Sequence, residues 1–205
     1  CLIGGDTTRG PLSLGITVFG RVPRGLALTR AGAQPGELLC VGGSLGDACG
    51  ALPWVLGQRQ DQVPGVDYLL ARYWSPQPQL ELGVLLRGKA GAALDISDGL
   101  LADCGHIAQS SGVALHIDRA RLPLSAALLA LAGADVAQRC ALGGGDDYRL
   151  AFSLPEHRLA EVQAHWPELA VIGRVSAGQG VHLHDEQGRE LALPERGYQH
   201  FGHST

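Results

Sequence analysis

The sequence predicts an α/β protein with α+β layering, in which a mixed sheet is flanked by helices. Three observations support this fold class. Short apolar runs of strand length alternate along the chain with amphipathic runs of helix length. Glycines, 30 of 205 residues, cluster where predicted strands end, which is where ligands bind in layered sheets. Hydrophobic residues make up 45% of the chain, enough for the core of one medium domain, or of one domain and a fragment.

The first half of the chain is predicted to contain three strands and three helices. Residues 12–18 alternate apolar and polar side chains as a half-buried strand does, and the Gly- and Pro-rich stretch 23–36 is a linker. Pro53 is expected either to kink the helix that follows Gly46 or to end the first part of that helix. The remaining predicted elements of this half are a strand at 37–41, a helix after Gly46, a loop-rich stretch at 61–78, a helix at 79–87, a strand at 92–96 and a helix at 98–110.

The second half is predicted to contain strands and helices in alternation, ending in a hairpin that turns at residues 186–188. The predicted order is strand 113–117, helices 124–133 and 135–142, strand 148–154, helix 156–165, strand 169–176 and hairpin 180–193.

Composition excludes several function classes. The net charge is −4 and the 16 basic residues form no run, so a nucleic-acid surface is not expected. No apolar window approaches about 18 residues, so no membrane span is predicted. The five cysteines form no CxxC pair and lie in apolar surroundings, which is typical of free thiols in the reducing cytoplasm. Methionine is absent, which leads us to expect either a processed chain or the rear portion of a longer one.

Two motifs offer carboxylates and hydroxyls to a hard cation. Residues 4–10, Gly-Gly-Asp-Thr-Thr-Arg-Gly, suit Mg²⁺ and phosphate oxygens, but the same residues are common in turns. In the second motif, Leu94–Leu100, Asp95 ends a buried strand, and Ser97 or Asp98 is expected to be the N-cap of the next helix. Capping alone does not explain Asp95. The motif therefore leaves two interpretations, a metal or anion site and a purely structural helix start.

The third motif is Gly143-Gly144-Gly145-Asp146-Asp147-Tyr148. In extended backbone the two carboxylates point to opposite sides, so we expect one to face a ligand and the other to cap or pair. Two further features are weak. The glycines of 43–46 lack the spacing of a dinucleotide-binding loop, and His182 with His184 lacks an evident third metal ligand.

Taken in order, these motifs resemble the thiamine-monophosphate kinase family, of the superfamily that includes aminoimidazole ribonucleotide synthetase. The resemblance covers essentially the whole chain. It rests on residues 4–10, 28–36, 76–78, 94–100, 144–148 and the closing Gly-Tyr-Gln-His-Phe at 197–201.

The resemblance implies roles for individual residues. Gly5, Asp6, Arg30 and Ser97 resemble ATP contacts. Asp6, Asp95 and Asp98 resemble magnesium ligands, and Asp146 and Tyr198 resemble contacts to the phosphate-accepting substrate. Two positions depart from the family's usual Gly-Gly-Glu-Asp-Tyr-Glu, namely Asp146, one methylene shorter, and Arg149 in place of Glu.

The resemblance also implies a domain division. Residues 1–22 would be the last strands of an N-terminal ATP- and magnesium-binding domain, and residues 23–205 the C-terminal domain of the aminoimidazole ribonucleotide synthetase-like fold. Family members are homodimers, in which the N-terminal domains contribute to the interface.

The implied activity is ATP-dependent phosphorylation of thiamine monophosphate to thiamine diphosphate, by direct in-line transfer assisted by Mg²⁺, with no side-chain base required. Two alternatives stay open. One is another ATP-dependent enzyme of the superfamily, such as an aminoimidazole ribonucleotide synthetase-like ligase. The other is a catalytically incomplete domain that only binds ligand or dimerises.

Overall fold

A seven-stranded sheet forms the centre of the computed structural model, which describes residues 4–5, 10–11 and 15–193. Across the sheet the strand order is β2-β4-β1-β5-β3-β6-β7. Strands β3 and β6 pair in parallel and all other neighbours pair antiparallel, which confirms the predicted mixed sheet. The strands are β1 (Leu38–Val41), β2 (Ala93–Asp95), β3 (Ala114–Asp118), β4 (Leu150–Leu154), β5 (Ala170–Ser176), β6 (Gly180–His184) and β7 (Glu190–Leu191).

Seven α-helices of the described residues flank the sheet, and short 3₁₀ turns lie at Arg119–Arg121 and Glu156–Arg158. The helices are α1 (Asp47–Val55), α2 (Val66–Trp74), α3 (Leu80–Leu86), α4 (Leu100–Ser111), α5 (Ala126–Ala132), α6 (Ala134–Gly143) and α7 (Leu159–His165).

Strand β1 is buried on both faces, which explains its uninterrupted apolar run. Leu38 and Cys40 belong to the apolar cluster that α3 and α7 complete on one face of the sheet. Leu39 and Val41 belong to the larger cluster that α4 and α6 complete on the other face. This alternation follows from the two-residue period of a strand, and it fixes the register of the central strands between two helical layers.

A third apolar cluster joins α1, α2, α5 and α6 beside the sheet. Its buried members include Ala51, Leu69, Leu128 and Ala137. A Cβ on Gly50 would overlap Cδ1 of Leu128, so the glycine allows α1 to approach α5 closely. This cluster packs α1, which follows the glycine-rich loop 42–46, against α6, which precedes the glycine-rich loop at 143–145.

Two sequence predictions are wrong in the structure. The stretch 61–78 contains α2, because Val66, Leu69 and Tyr73 repeat at helical spacing and bury one face of that segment. Residues 15–18, the described part of the predicted strand 12–18, form no strand. Ile16 and Val18 are 91% and 84% exposed, and within residues 15–193 no strand lies alongside to cover them.

The other predicted elements are confirmed to within a few residues at each end. Helix α1 continues past Pro53 to Val55, because the proline lies in its last turn. The stretch 23–36 has no helix or strand, as expected of a linker. No single helix of the described chain is long and apolar enough to cross a membrane. One bent pair, Ala126–Ala132 with Ala134–Gly143 at 119°, passes that test by length and composition alone.

Candidate functional site

Two loops meet at one edge of the sheet, where β2 ends and β4 begins. Asp95 pairs with Leu150 in the antiparallel register, so the loop after β2 lies beside the loop before β4. Backbone hydrogen bonds join the loops further. The amides of Ile96, Tyr148 and Asp146 donate to the carbonyls of Arg149, Ile96 and Ser97, at 2.8, 2.8 and 3.0 Å. The second and third sequence motifs therefore form one site, although some 50 residues separate them along the chain.

Glycines make this close approach possible. A Cβ on Gly145 would overlap the carbonyl oxygen of Ser97, and a Cβ on Gly99 would lie 2.9 Å from the carbonyl carbon and oxygen of Gly143. Gly99 also adopts a φ of +111°, which L-residues rarely adopt. The two glycines are required because the backbones of the paired loops touch without intervening side chains.

The start of α4 differs from the prediction. The N-cap is Gly99, and neither Ser97 nor Asp98 caps the helix. Instead the buried carboxylate of Asp103 accepts hydrogen bonds from the amides of Ser97 and Asp98, at 2.9 and 3.0 Å. Burial raises the pKa of Asp103, and the two amide donors oppose that shift. Sequence reasoning missed Asp103, although an acidic residue in the first turn of a helix signals such a contact.

Three carboxylates lie close enough to Tyr148 to affect its pKa. Asp95 and Asp146 are exposed and Asp98 is half-buried. The Tyr148 hydroxyl donates to Oδ1 of Asp146 at 3.1 Å. The pKa of Tyr148 is raised, first by burial, then by this hydrogen bond, and then by the charges of Asp146, Asp95 and Asp98. Asp146 and Tyr148 both have positive φ, at 66° and 48°, so the loop holds two side chains in an uncommon conformation.

Asp147 points away from Asp146, as predicted for adjacent residues in this loop. It is 2% exposed, and its Oδ2 accepts a hydrogen bond from the amide of Gly46, 2.8 Å away. Gly46 is the N-cap of α1, so Asp147 caps that helix across the fold. Burial is the largest cause that raises the pKa of Asp147, to about 7.

Two cavities adjoin the paired loops. One, of about 410 Å³, is lined by Ser97, Asp98, Asp146, the glycines 143–145 and Cys49. The other, of about 760 Å³, is mostly apolar, and Asp95 and Tyr148 lie at its polar side. Leu28, Pro76, Pro78, Leu80 and Val84 are among its apolar walls. Ser97, Asp98 and Asp146 thus line the smaller cavity, and Asp95 and Tyr148 line the larger one.

The structure does not bring all the predicted site residues together. The carbonyl of Arg30 accepts a hydrogen bond from Ser111 at the C-terminal end of α4, at the opposite end of that helix from Asp98. The 12 residues of α4 separate these ends by about 18 Å. Gly5 is exposed, with no side chain or backbone close to its Cβ position. Asp6 and Tyr198 lie outside the described residues.

The glycine loop 42–46 packs against protein. The carbonyl of Gly42 accepts hydrogen bonds from Gln79 and Trp166, at 2.7 and 2.8 Å. A Cβ on Gly46 would lie 2.6 Å from the amide nitrogen of Ala141. These glycines therefore serve close packing within the protein.

His182 and His184 have a third histidine beside them, which sequence reasoning missed. His116 on β3 stacks on His182 and lies 2.9 Å from His184 between ring nitrogens. The His182 Nδ1 bonds Glu190 at 2.7 Å. His116 and Glu190 are thus neighbours that the sequence did not reveal, although within the described residues these side chains form no group arranged to hold a metal ion.

The carboxylates at the paired loops fit magnesium in donor type only. Hard oxygen donors are what Mg²⁺ prefers, and it is commonly held by one or two carboxylates together with water and substrate phosphates. Asp95 and Asp98 are suitably exposed for that role. Within the described part of the chain, no three His, Cys, Asp or Glu side chains form a group that could hold a metal ion by themselves.

Comparison with solved structures first defines the class of protein. The mixed seven-stranded sheet with flanking helices matches proteins of the aminoimidazole ribonucleotide synthetase-like fold. A thiamine-monophosphate kinase from Stenotrophomonas maltophilia K279a is 45% identical, with a TM-score of 0.74 over 79% of this chain and 54% of that one. AaThiL complexed with AMPPCP and TMP is 33% identical, with a TM-score of 0.71 over 85% of this chain and 54% of that one.

Sequence comparison names the particular relatives. Thiamine-monophosphate kinase of Escherichia coli K12 is 40% identical over 205 residues, which cover 98% of this chain and 63% of the relative. No family model matches the chain. The chain is thus a homologue of thiamine-monophosphate kinases along nearly its whole length, and it spans less than two thirds of the length of that curated relative.

Proposed function

We propose that this chain forms part of an enzyme that transfers the γ-phosphoryl group of ATP to thiamine monophosphate and so makes thiamine diphosphate. The observation that carries the proposal is the pairing of loops 96–99 and 143–149, which places Ser97, Asp98 and Asp146 around one cavity. The AMPPCP and TMP bound to the 33% identical AaThiL support ATP and thiamine monophosphate as its ligands.

The proposed ATP contacts are Gly5, Asp6, Arg30 and Ser97, of which Ser97 alone lines the cavity at the paired loops among the described residues, while Gly5, Asp6 and Arg30 are proposed from the sequence resemblance. The amides of Ser97 and Asp98 already donate to Asp103, so the Ser97 hydroxyl, rather than those two amides, is the group available to a nucleotide phosphate. Asp146 is held toward the cavity by the Tyr148 hydroxyl and is the proposed contact to the accepting substrate, together with Tyr198.

Magnesium would be held by Asp6, Asp95 and Asp98, and it would neutralise the negative charge of the phosphates that must approach each other. The accepting phosphate oxygen is already anionic near neutral pH, so no side chain has to remove a proton from it. The proposed role of the described residues is therefore to bind the two anionic ligands and to align them for in-line transfer.

A second candidate function is ligand binding without turnover. The observation that favours it is that the chain spans 63% of the length of the Escherichia coli K12 relative. In that case further groups would be needed to complete the magnesium site.

The domain division, the homodimer and the cytoplasmic location stay predictions. The exposure of Ile16, Val18 and Phe19, at 91%, 84% and 82%, supports the assignment of residues 1–22 to a domain other than 23–205. The free thiols of Cys40, Cys49, Cys104 and Cys140 support a reducing compartment. Analytical ultracentrifugation would test the dimer.

Two measurements test the proposed function. Formation of thiamine diphosphate from ATP, Mg²⁺ and thiamine monophosphate tests catalysis, and calorimetry with Mg-AMPPCP tests binding. We expect Asp98→Asn to reduce both while the folded state persists, and Arg158→Gln, on the far surface, to change neither. Binding without product would favour the second candidate. Full activity of Asp98→Asn at low Mg²⁺ would contradict the proposed magnesium role.

A further inference from the structure

A separate pocket of about 450 Å³ lies behind the candidate site, on the other side of residues 78–80. Its walls include Arg72 of α2, Arg149 just before β4, Gln79, and Trp166 after α7. Asp95, Asp98 and Tyr148 are not among its lining residues. The pocket is therefore distinct from both cavities at the paired loops.

Two arginines in this pocket are buried without hydrogen-bond partners at Nε. Arg149 is 9% exposed as a residue and the Arg72 side chain is 10% exposed. Their Nε atoms are buried and have no partner in the described part of the chain. A buried donor left unpaired costs free energy, so each guanidinium is available to an acceptor that enters the pocket.

Nearby carboxylates do not satisfy these guanidinium groups. Asp47 lies 3.8 Å from Nε of Arg72, but its oxygens accept hydrogen bonds from Ser44, Tyr68 and Ser125. Glu168 lies 4.0 Å from Nη2 of Arg149, and its side chain is 65% exposed. An ion pair at that distance and exposure contributes little.

A third carboxylate, that of Asp147, lies near both arginines. Its charge raises the pKa of Arg149, and the charges of Arg72 and Arg149 lower the pKa of Asp147. Its Oδ1 atom is buried and has no hydrogen-bond partner among the described residues. Its second oxygen is committed to the Gly46 amide. These buried groups therefore face one another without forming the hydrogen bonds that would neutralise them.

The two arginines also repel each other. The pKa of Arg149 is lowered, first by burial and then by the positive charge of Arg72. Among the other donors on the wall, Gln79 and Trp166 both donate to the Gly42 carbonyl and Gln77 donates to the Ser75 carbonyl. Glu81 and Glu168 also line the pocket, and they supply acceptors only. The unmet donor capacity of the described pocket wall thus belongs to the two guanidinium groups.

We propose that this pocket binds a small phosphate monoester through Arg72 and Arg149, with the organic part of the ligand against Trp166 and Pro78. A guanidinium fork matches the oxygens of phosphate, and one oxyanion between two arginines offsets their repulsion. The indole and the proline ring offer the apolar surface that the ester group of such a ligand needs. The inference does not depend on the proposed catalytic function.

Calorimetry of the full chain with phenyl phosphate, at constant ionic strength, tests the proposal. We expect saturable binding that Arg149→Gln weakens by about tenfold or more, because a hydrogen bond to a charged group is lost. Arg158→Gln removes the same charge from the surface and should leave the affinity unchanged. Asp98→Asn should also leave it unchanged, which separates this pocket from the candidate catalytic site.

Benzoate distinguishes the two oxyanion classes, because it keeps the ring and replaces phosphate by carboxylate. Equal or tighter binding of benzoate would overturn the assignment to phosphate monoesters. Absence of saturable binding, or equal weakening by Arg149→Gln and Arg158→Gln, would overturn the site itself. If circular dichroism shows that Arg149→Gln does not fold, Arg149→Lys keeps the charge, loses the fork and should still weaken phenyl phosphate binding.

Discussion

The carbonyl oxygen of Ser97 accepts a hydrogen bond from the amide of Asp146, 3.0 Å away, and this contact joins the two loops that carry most of the described site residues. Gly145 lies directly against the same carbonyl. The relative positions of Ser97, Asp98 and Asp146 therefore depend on a close backbone approach. Four predictions follow from this and from neighbouring contacts.

Gly145→Ala should separate the paired loops, because its Cβ would overlap the Ser97 carbonyl. We expect a loss of about 2 kcal/mol in the free energy of unfolding, as overpacking typically costs. Gly143→Ala is the matched control. Nothing lies within 4 Å of its Cβ position, and Gly143 ends α6, so alanine there should be neutral or stabilising. Urea unfolding of both variants measures this, and equal losses would contradict the close-approach interpretation.

Asp103→Ala should destabilise the start of α4, since the amides of Ser97 and Asp98 would lose their acceptor. The expected cost is roughly 2 kcal/mol for partly buried donors left unpaired. Asp135→Ala, an exposed acid in the first turn of α6, should change stability far less. Chemical denaturation compares the two variants. If both lose the same stability, the Asp103 contacts do not hold the loop.

Asp147→Asn should change the pH dependence of stability. The folded-state pKa of Asp147, about 7, is above its ordinary value of 3.8, so the folded protein binds this proton more tightly than the unfolded chain. The resulting stability is complete below about pH 4 and is lost as the pH rises through 7. Asparagine removes this loss, so the variant should gain stability relative to the parent between pH 5 and 8. Urea unfolding at several pH values tests this, with Asp135→Asn as control. Parallel curves for parent and Asp147→Asn would show that the carboxyl titrates at its ordinary pKa.

Cysteine alkylation under native conditions should follow burial. Burial raises the pKa of the Cys40 and Cys104 thiols to about 12, so few reactive thiolates exist there at pH 8. Cys49 is half-buried and lines the cavity beside Asp98. Its hydrogen bond with Cys140 raises the pKa of Cys49 and lowers the pKa of Cys140, so within this pair Cys140 loses its proton first. We expect iodoacetamide to modify the Cys49–Cys140 pair, through Cys140, before Cys40 and Cys104, as quantified by peptide mass spectrometry. Denatured protein, in which all sites react alike, is the control. Early modification of Cys104 in the native state would show that α4 opens readily.

The hydrophobic pattern predicted most elements because burial on one or both faces dictates it. The runs at 37–41 and 148–154 contain β1 and β4, two adjacent interior strands of the sheet. The alternation was a wrong predictor over the described residues 15–18, since an apolar stripe forms a strand only when another strand pairs with it. The helical spacing of Val66, Leu69 and Tyr73 indicates helix α2, but the segment is only nine residues long. The prolines and glycine on either side of it favoured the prediction of a loop.

The sequence by itself identified the candidate site residues and the order of the elements that present them. Asp95 ends a strand, Ser97 and Asp98 follow it, and Asp146 precedes the next strand of the site, and these local facts need no tertiary information. Only the tertiary structure decided that β2 and β4 are neighbours, and hence that these residues share one site.

The tertiary structure alone also decided that Asp103 accepts hydrogen bonds from the loop and that Arg72 and Arg149 line one pocket. The reason is physical. Local periodicity records how much of each residue is buried, whereas a site depends on which distant backbones pair. That pairing is set by packing of the whole sheet between its helical layers.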